Sequence, residues 1–417
     1  MEKSGKFRLT SLERNWILYD VGNSAFVLMV ATLIPIFFNA LAAAGGLSSV
    51  EYLAYWGYAS SAVTVITAVL SPILGTVADT KGFKKPIFIL CVFVGIVGCC
   101  AMGAASAWLP FLVIFVIAKV GFSGSLVFYD SMLSDVTTPE RMDEVSSRGY
   151  AWGYIGSCAP FVVCLGLVLG AGSIGISQMT ALNLALLLTA AWWLLTTLPL
   201  LKSYKQLYYV EVEKHAVRQS FARIGHTLRH LPEDKQVFWF LLAFFCYIDG
   251  VYTIIDMATA YGTALGLDTT GLLLALLVTQ IVAFPSALIF GRLSNKYPSA
   301  KLIPVCIAAY AGIAVFAFFL TQQWQFWVLA VIVGMFQGGV QALSRSHFAK
   351  IIPLEKSGEY FGLFDICGKG ASFLGTMIVS VGSQLTGSAN VGVGSLIVLF
   401  IVGFVLFRVS CRQGETV

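Results

Sequence analysis

Long apolar runs separated by short polar breaks fill almost the whole chain. They lie at about residues 14–44, 50–78, 86–106, 109–135, 144–170, 176–201, 236–265, 270–294, 301–320, 325–350, 358–385 and 392–409. A helix needs roughly 20 mostly apolar residues to cross the hydrocarbon core of a bilayer. The pattern therefore predicts twelve transmembrane helices and no soluble core. The longest polar segment, Lys202 to Gln236, divides six runs from six. The expected architecture is an all-α membrane protein of two pseudo-symmetric six-helix bundles, residues 1–201 and 236–417, joined by a cytoplasmic linker at 202–235. Within the linker Val217, Phe221, Ile224, Leu228 and Leu231 recur at steps of three and four, with Arg218, Arg223 and Arg229 on other faces. That spacing predicts a helix lying on the membrane surface.

Composition points the same way. Hydrophobic residues make up 58% and charged residues 11%, where soluble domains sit near ~45–50% and ~25%. The placement of charge says more. Of the 26 Lys and Arg residues, all but Lys119 and Lys369 fall in the N-terminus, the even-numbered loops, the C-terminus or helix ends facing that same side. Odd-numbered loops such as "AAGGLSS" and "QLTGSAN" carry none. Cationic loops stay in the cytoplasm, so both termini are expected there, in a multi-pass cytoplasmic (inner) membrane protein. The formal charge of +5 reflects this bias and not nucleic-acid binding. The first run ends in "ALAAAGG", a small-residue pattern that also occurs at signal-peptidase sites. A signal apolar region spans only ~7–15 residues, and this run is about twice that and contains Asp20 and Pro35, so it reads as a retained helix. The nine Cys lie in or beside the runs and read as packing residues rather than disulfides or metal ligands.

The two halves echo each other. "GTVADTKGFKK" after the second run answers to "GRLSNKYPSAK" after the eighth, with Gly75/Gly291, Asp79/Asn295 and Lys85/Lys301 each 216 apart. Gly124/Gly338 and Pro139/Pro353 are 214 apart, and "YDVG" answers loosely to "YIDG". Their consistent order is the mark of a fused repeat.

Each residue of "GTVADTKGFKK" has a physical use. Gly75 permits close helix approach at a span end. Asp79 can cap a neighbouring helix N-terminus, where the dipole is positive. Gly82 turns the chain. Lys84 and Lys85 stay at the lipid–water boundary, within reach of Asp135 at the end of the fourth run. The segment resembles the loop signature of the major facilitator superfamily, whose two six-helix halves rock about a central cavity and are latched by this loop on the cytoplasmic side. The resemblance makes Gly75, Asp79, Gly82, Lys84, Lys85 and Asp135 gate residues, with a weaker latch at Asn295. Further along, "ILYDVGNSAF", "SSRGYAWGYIG", "YIDGVYTIIDMA", "GGVQALSRSHFAKIIP" and "GEYFGLF" together resemble one branch of that superfamily, named for the vacuolar amino-acid effluxer of autophagy and rich in bacterial members. That resemblance implies amino-acid movement. One position departs from it: Asp130 stands where the branch leads one to expect Asn.

Charges within spans are functional candidates by default. At about 1.5 Å per helical residue, Lys119 lies roughly 15 Å deep in the fourth run and Asp249 roughly 20 Å from the cytoplasmic end of the seventh. Lys369 is at a depth similar to Lys119. Asp20, Asp130 and Asp365 lie in the inner third, Asp256 towards the outer end, and Arg345 at the inner end of the tenth run. Superfamily geometry puts spans 1, 4, 7 and 10 on the cavity, and with them Asp20, Lys119, Asp130, Asp249, Asp256 and Arg345. Asp20, one turn before Asn23, pairs with Arg345, meets a basic group of the solute, or caps a helix start. Asp365 and Lys369, four apart, share a helix face. They form either a private salt bridge or leave Lys369 as a ligand or switch. Lys119 has no acid within four residues and is the candidate for a solute carboxylate, alongside Arg345. Asp20, Asp130 or Asp249 would meet an ammonium group. Tyr129, Tyr247, Tyr252 and Gln337 are polar enough to line the site or simply to pack. No His lies deep in a span, so coupling falls to Asp249, Asp256 and Asp365 with Lys369.

Other chemistry is poorly matched. "CGKGAS" lacks the first Gly of a phosphate loop and lies inside a span. No nucleotide domain is present for an ATP-driven pump, and no cluster has metal-ligand spacing. The reading is a secondary active transporter and not an enzyme, without cofactors. It moves a small zwitterionic, amino-acid-like solute by alternating access, coupled to protons, as a monomer in the lipid bilayer. Two alternatives stand beside it: a lysolipid or amphiphile transporter or flippase, and a membrane sensor that binds solute without moving it.

Overall fold

The computed structural model describes residues 7–211, 225–227 and 229–414, nearly all of them helical. The first half holds α1 (Ser11–Ala31), α2 (Leu33–Ala44), α3 (Ser49–Ala78), α4 (Lys84–Ala104), α5 (Trp108–Ser131), α6 (Leu133–Val136), α7 (Met142–Leu169) and α8 (Gln178–Ser203). The second holds α9 (Lys235–Ala264), α10 (Thr269–Leu293), α11 (Ser299–Phe318), α12 (Gln323–Ile351), α13 (Ser357–Thr386), α14 (Ala389–Gly394) and α15 (Ile397–Gly414). Among the described residues eleven helical segments are long and apolar enough to cross a membrane. α13 has 30 residues, about 45 Å at ~1.5 Å per residue. It lies between α3 and α9 and makes the twelfth crossing. The chain therefore ends on the face where it began, the terminal face.

Local chemistry explains the helix starts. Thr10 and Ser48 each accept the backbone N–H of a Glu three residues on, while that Glu accepts the cap's own N–H, giving capping boxes for α1 and α3. Asp268 caps α10 through the Gly271 N–H at 2.7 Å. The first apolar run breaks at Thr32 because Pro35 has no N–H for the Ala31 carbonyl and its ring crowds that group. The helix resumes as α2, with Pro35 in its first turn.

In the first half α1 packs on α7 and α8, α4 on α5 and α8, and α3 on α5. In the second α9 packs on α13 and α15, α10 on α12, and α11 on α12 and α15. The halves meet where α3 lies along α13 and where α7 lies along α10 and α12. Val65, Val69, Val163, Leu195 and Leu385 are among the large apolar side chains that face outward. A surface of that kind is solvated by lipid rather than water. Of the expected linker helix, residues 212–224 and Leu228 lie outside the described residues, while 225–227 and 229–230 are helical.

Candidate functional site

The terminal face is closed by contacts between the halves. α3 and α13 cross backbone to backbone. A Cβ built on Gly75 would stand 2.1 Å from the Gly358 carbonyl oxygen, and one on Gly358 2.6 Å from the Gly75 oxygen. Only glycine fits at either position. The crossing brings Asp79 to the first turn of α13, where Oδ1 accepts the Gly358 N–H at 2.7 Å and Oδ2 the Glu359 N–H at 2.8 Å. Two of the four backbone donors that a helix start leaves open thus meet a negative group at the positive end of the dipole.

Lys84 sits beneath this cap. Its Nζ is 3.8 Å from Asp79 and 3.4 Å from Asp135, and donates to Ser357 Oγ at 2.8 Å. The side chain is fully buried, which corrects the expected place at the lipid–water boundary. The loop turns tightly at Gly82, whose φ of +79° suits glycine. The start of α4 therefore folds back under the loop, where two carboxylates offset the ammonium. Lys85 remains half exposed. The second copy of the loop is built differently. Asn295 Nδ2 donates to Glu144 Oε2 at 2.8 Å, reaching a side chain and not a helix start. Beside it, Asp143 receives Ser346 Oγ and Lys350 Nζ, each at 2.6 Å, from α12.

Deeper in, Arg345 of α12 enters the first half. Its Nη1 is 2.9 Å from Asp130 and 3.7 Å from Asp20. Its Nε donates to Ser146 Oγ at 2.9 Å and Nη2 to the Ser146 carbonyl at 3.0 Å. The guanidinium carbon lies 4.3 Å from the Tyr150 ring centre, 4.7 Å from Trp16 and 5.4 Å from Tyr129. Trp16 and Tyr129 stack at 4.3 Å. A Cβ on Gly149 would sit 3.0 Å from Asp20 Oδ2 and 3.1 Å from Arg345 Nη2. Arg345, Asp20, Asp130 and Tyr129 thus form a lock between the halves. This corrects the expectation of Arg345 as an open ligand for a solute carboxylate: every face of its guanidinium is already engaged. Asn23 is also occupied, donating to the Tyr19 carbonyl at 3.0 Å within α1.

Of the candidate charges described within the spans, Lys119 and Asp256 lie towards the far side. Lys119 lies over the Phe122 ring at 4.7 Å and the Phe26 ring at 5.9 Å. Its charge acts on Asp256 of the other half, and Asp256 is exposed. The acid that Lys119 lacks nearby in sequence thus stands within electrostatic reach from the other half. Met257, Tyr261 and Gln337 help line a partly open, mostly apolar cavity among the helices of the second half.

The other candidates scatter. Asp249 is fully buried between α9 and α13, with Oδ1 accepting the Gly375 N–H at 2.9 Å and the Thr253 hydroxyl at 3.3 Å. Its Oδ2 has no hydrogen-bond partner among the described residues. Asp249 and Asp256 share a helix face by spacing, yet only Asp256 is exposed. Asp365 accepts the Ser71 hydroxyl at 2.7 Å across the halves, so the private pair with Lys369 is not its whole environment. The Lys369 side chain lies outside the described residues. Tyr252 is half-buried within range of the charges on Asp130, Asp365 and Asp256. Tyr247 is buried and bonded to Ser344 at 2.6 Å. Trp16, Ser146, Gly149 and Tyr150 were not anticipated as site residues. Three of them stand in "SSRGY", a motif whose role shows only once Arg345 is docked on it.

Comparison with known proteins agrees with this geometry. The family model described as "Vacuole effluxer Atg22 like" matches residues 11–142 and 134–416. An uncharacterized MFS-type transporter of Bacillus subtilis, YxiO, is 42% identical over 414 residues, covering 98% of this chain and 97% of that protein. Autophagy-related protein 22 of the fungus Coccidioides immitis is 25% identical over 315 residues, covering 65% of this chain and 51% of its own length, so the chain spans about half of that relative. Among solved structures, the human organic anion transporter MFSD10 superposes with a TM-score of 0.72 at 14% identity, over 95% of this chain and 99% of that one, a likeness of fold alone. The family model runs along nearly the whole length and YxiO matches over almost all of both chains: the chain belongs to the Atg22-like family of major facilitator superfamily transporters.

Proposed function

We propose that this transporter moves a small zwitterion of the amino-acid type and couples that movement to protons. One observation carries the reading. Lys119 and Asp256 present opposite charges from different halves, away from the closed gate. A solute with both a carboxylate and an ammonium group exchanges its own charges for that pair and draws the halves together around itself. A solute of one sign leaves one of the two uncompensated, which is costly away from water. Efflux is the activity in the family's description, and amino acids are what the sequence motifs imply.

Proton coupling follows from charge balance at the lock. Opening the terminal face withdraws Arg345 from Asp20 and Asp130, and each carboxylate then needs a proton or a solute cation. Asp249, with a buried oxygen that accepts no hydrogen bond among the described residues, is the second candidate. The Lys and Arg bias supports a terminal face in the cytoplasm of an inner membrane, with the closed gate facing inward. The path runs between halves of a single chain, and a monomer suffices.

The test is transport in proteoliposomes. A panel of amino acids, their amides and their decarboxylated amines should show uptake or exchange only of the intact zwitterions, enhanced by a pH gradient. Equal handling of the amines, or activity on lysolipids alone, overturns the proposal. Binding without transport of any member marks a sensor.

A further inference from the structure

Residues 204–211 leave α8 and run back over the terminal face as a strap. Tyr204 Oη donates to Asp135 Oδ2 at 2.6 Å, and the Leu207 and Tyr208 N–H groups reach Asp135 Oδ1 at 2.9 and 3.0 Å. Gln206 grips the gate loop from both sides. Its Oε1 accepts the Gly82 N–H at 3.0 Å and its Nε2 donates to the Ala78 carbonyl at 3.1 Å. The Val210 N–H meets the Asp79 carbonyl at 2.8 Å and the Lys81 N–H meets the Val210 carbonyl at 3.3 Å, a short parallel bridge between Thr80 and Val210. Lys81 then pairs with Glu211 at 3.3 Å and covers the Tyr209 ring at 4.8 Å.

None of these contacts crosses between the halves. Each ends on the loop at 78–82 or on Asp135, the groups that set where Asp79 and Lys84 stand. Asp79 is the C-cap of α3, its N–H on the Gly75 carbonyl at 3.1 Å, but the chain beyond it turns at a positive-φ glycine, and fixing that turn from behind keeps the carboxylate on its two N–H groups at 2.7 and 2.8 Å. Asp135 is shared: its Oδ2 takes both Lys84 of the gate and Tyr204 of the strap, and its Oδ1 takes the strap's backbone. We propose that Tyr204, Gln206 and Val210 are positioning residues of the gate, through which the linker between the halves holds Asp79 in register with the first turn of α13. The linker is thereby more than a tether. Its grip on the loop sets how readily the terminal face opens, and any binding or modification that pulls residues 204–211 away from the loop releases the gate. This holds whatever the solute is.

The experiment reads the ratio of open to closed terminal face in the full chain in lipid nanodiscs. Labels at the exposed Glu140 and Glu355 report the distance between halves. They are introduced through an unnatural amino acid because the chain has nine cysteines of its own. Gln206→Ala removes both grips on the loop, and Tyr204→Phe removes only a hydroxyl. Each is expected to raise the open-to-closed ratio about three- to tenfold, the range for the loss of one ordinary intramolecular hydrogen bond. Gln206→Ala is the reading variant if Tyr204→Phe does not express. The decisive arm is Asp79→Asn with Gln206→Ala. If the strap acts by placing Asp79, the double variant moves no further than Asp79→Asn alone. Additive shifts, or single variants that leave the ratio unmoved while Asp79→Asn moves it, overturn the proposal. A lowered melting temperature without a change in ratio means the strap serves stability only and overturns it as well.

Discussion

Gly75→Ala tests the latch most directly, because its effect can be worked from the crossing itself. The added methyl would stand 2.1 Å from the Gly358 oxygen, about 1.3 Å short of the 3.4 Å at which ordinary contact begins. The obstacle is a backbone carbonyl in a helix, which cannot rotate away as a side chain would. The helices must therefore part by about that amount. Both Asp79 bonds, at 2.7 and 2.8 Å, then stretch to about 4 Å and are lost as hydrogen bonds. Two bonds to a carboxylate contribute roughly 1.5–3 kcal/mol each, so the closed state loses on the order of 3–6 kcal/mol relative to the open one. That is about a hundredfold or more in the ratio, at ~1.4 kcal/mol per tenfold. The open state separates α3 from α13 at this face and should tolerate the methyl. The expected result is a shift in the distance distribution between halves towards the open terminal face, with the melting temperature much less affected. Label pairs at Glu140 and Glu355 in nanodiscs give both readings. A closed population equal to that of the unmodified protein refutes the reasoning, since no side chain can relieve that contact.

Lys119→Ala should weaken binding of an intact amino acid by about ten- to a hundredfold, the cost of a charged hydrogen bond, while yield and melting hold because Asp256 is already exposed. Equal loss for the decarboxylated amine argues against a carboxylate at Lys119. Asp249→Asn should leave solute exchange intact but abolish accumulation driven by a pH gradient; continued accumulation moves the coupling site to Asp20, Asp130 or Asp256. Asn295→Asp should loosen the second loop rather than strengthen it, because a carboxylate would face Glu144 where the amide now sits at 2.8 Å. Repulsion of roughly 1–4 kcal/mol is expected, read as a wider distance between halves, and a tighter closed state would contradict it. Cysteines placed at residues 45–48 should react with an impermeant reagent from outside the cell and ones placed in 202–205 should not; the reverse labelling overturns the orientation.

The division of labour between chain order and folding shows in particular residues. Asp79 as the cap of a neighbouring helix was readable in advance, because a carboxylate after a span end, with glycines on either side, has few other uses. Lys84 was readable in part: its reach to Asp135 was expected, but its neighbours in sequence place it at a membrane boundary, and only the turn at Gly82 buries it under the loop beside Asp79 as well. Asp20 facing Arg345 was one of several readings, while the share taken by Asp130 and the cage of Trp16, Tyr129 and Tyr150 needed α1, α5, α7 and α12 in place together. Lys119 looked isolated because local spacing sees only acids on its own helix, and Asp256 is 137 positions away.

What the amino-acid order determined alone is the part set by interactions with the solvent. Apolar run length against bilayer thickness sets the crossings, Lys and Arg placement sets the expected sidedness, and the echo of one half in the other sets the division into two related halves. These depend on each segment by itself and on water or lipid, so they are legible one segment at a time. What only the tertiary structure decided is which charge meets which. In a medium of low dielectric a buried charge must find a partner or a dipole, but nearly every partner found here comes from another helix or another half. The pairing of Asp79 with the start of α13, of Arg345 with Asp130 and Asp20, and of the strap with Asp135 follows from helix packing, where two glycines, Gly75 and Gly358, let backbones close to a distance that no local pattern encodes.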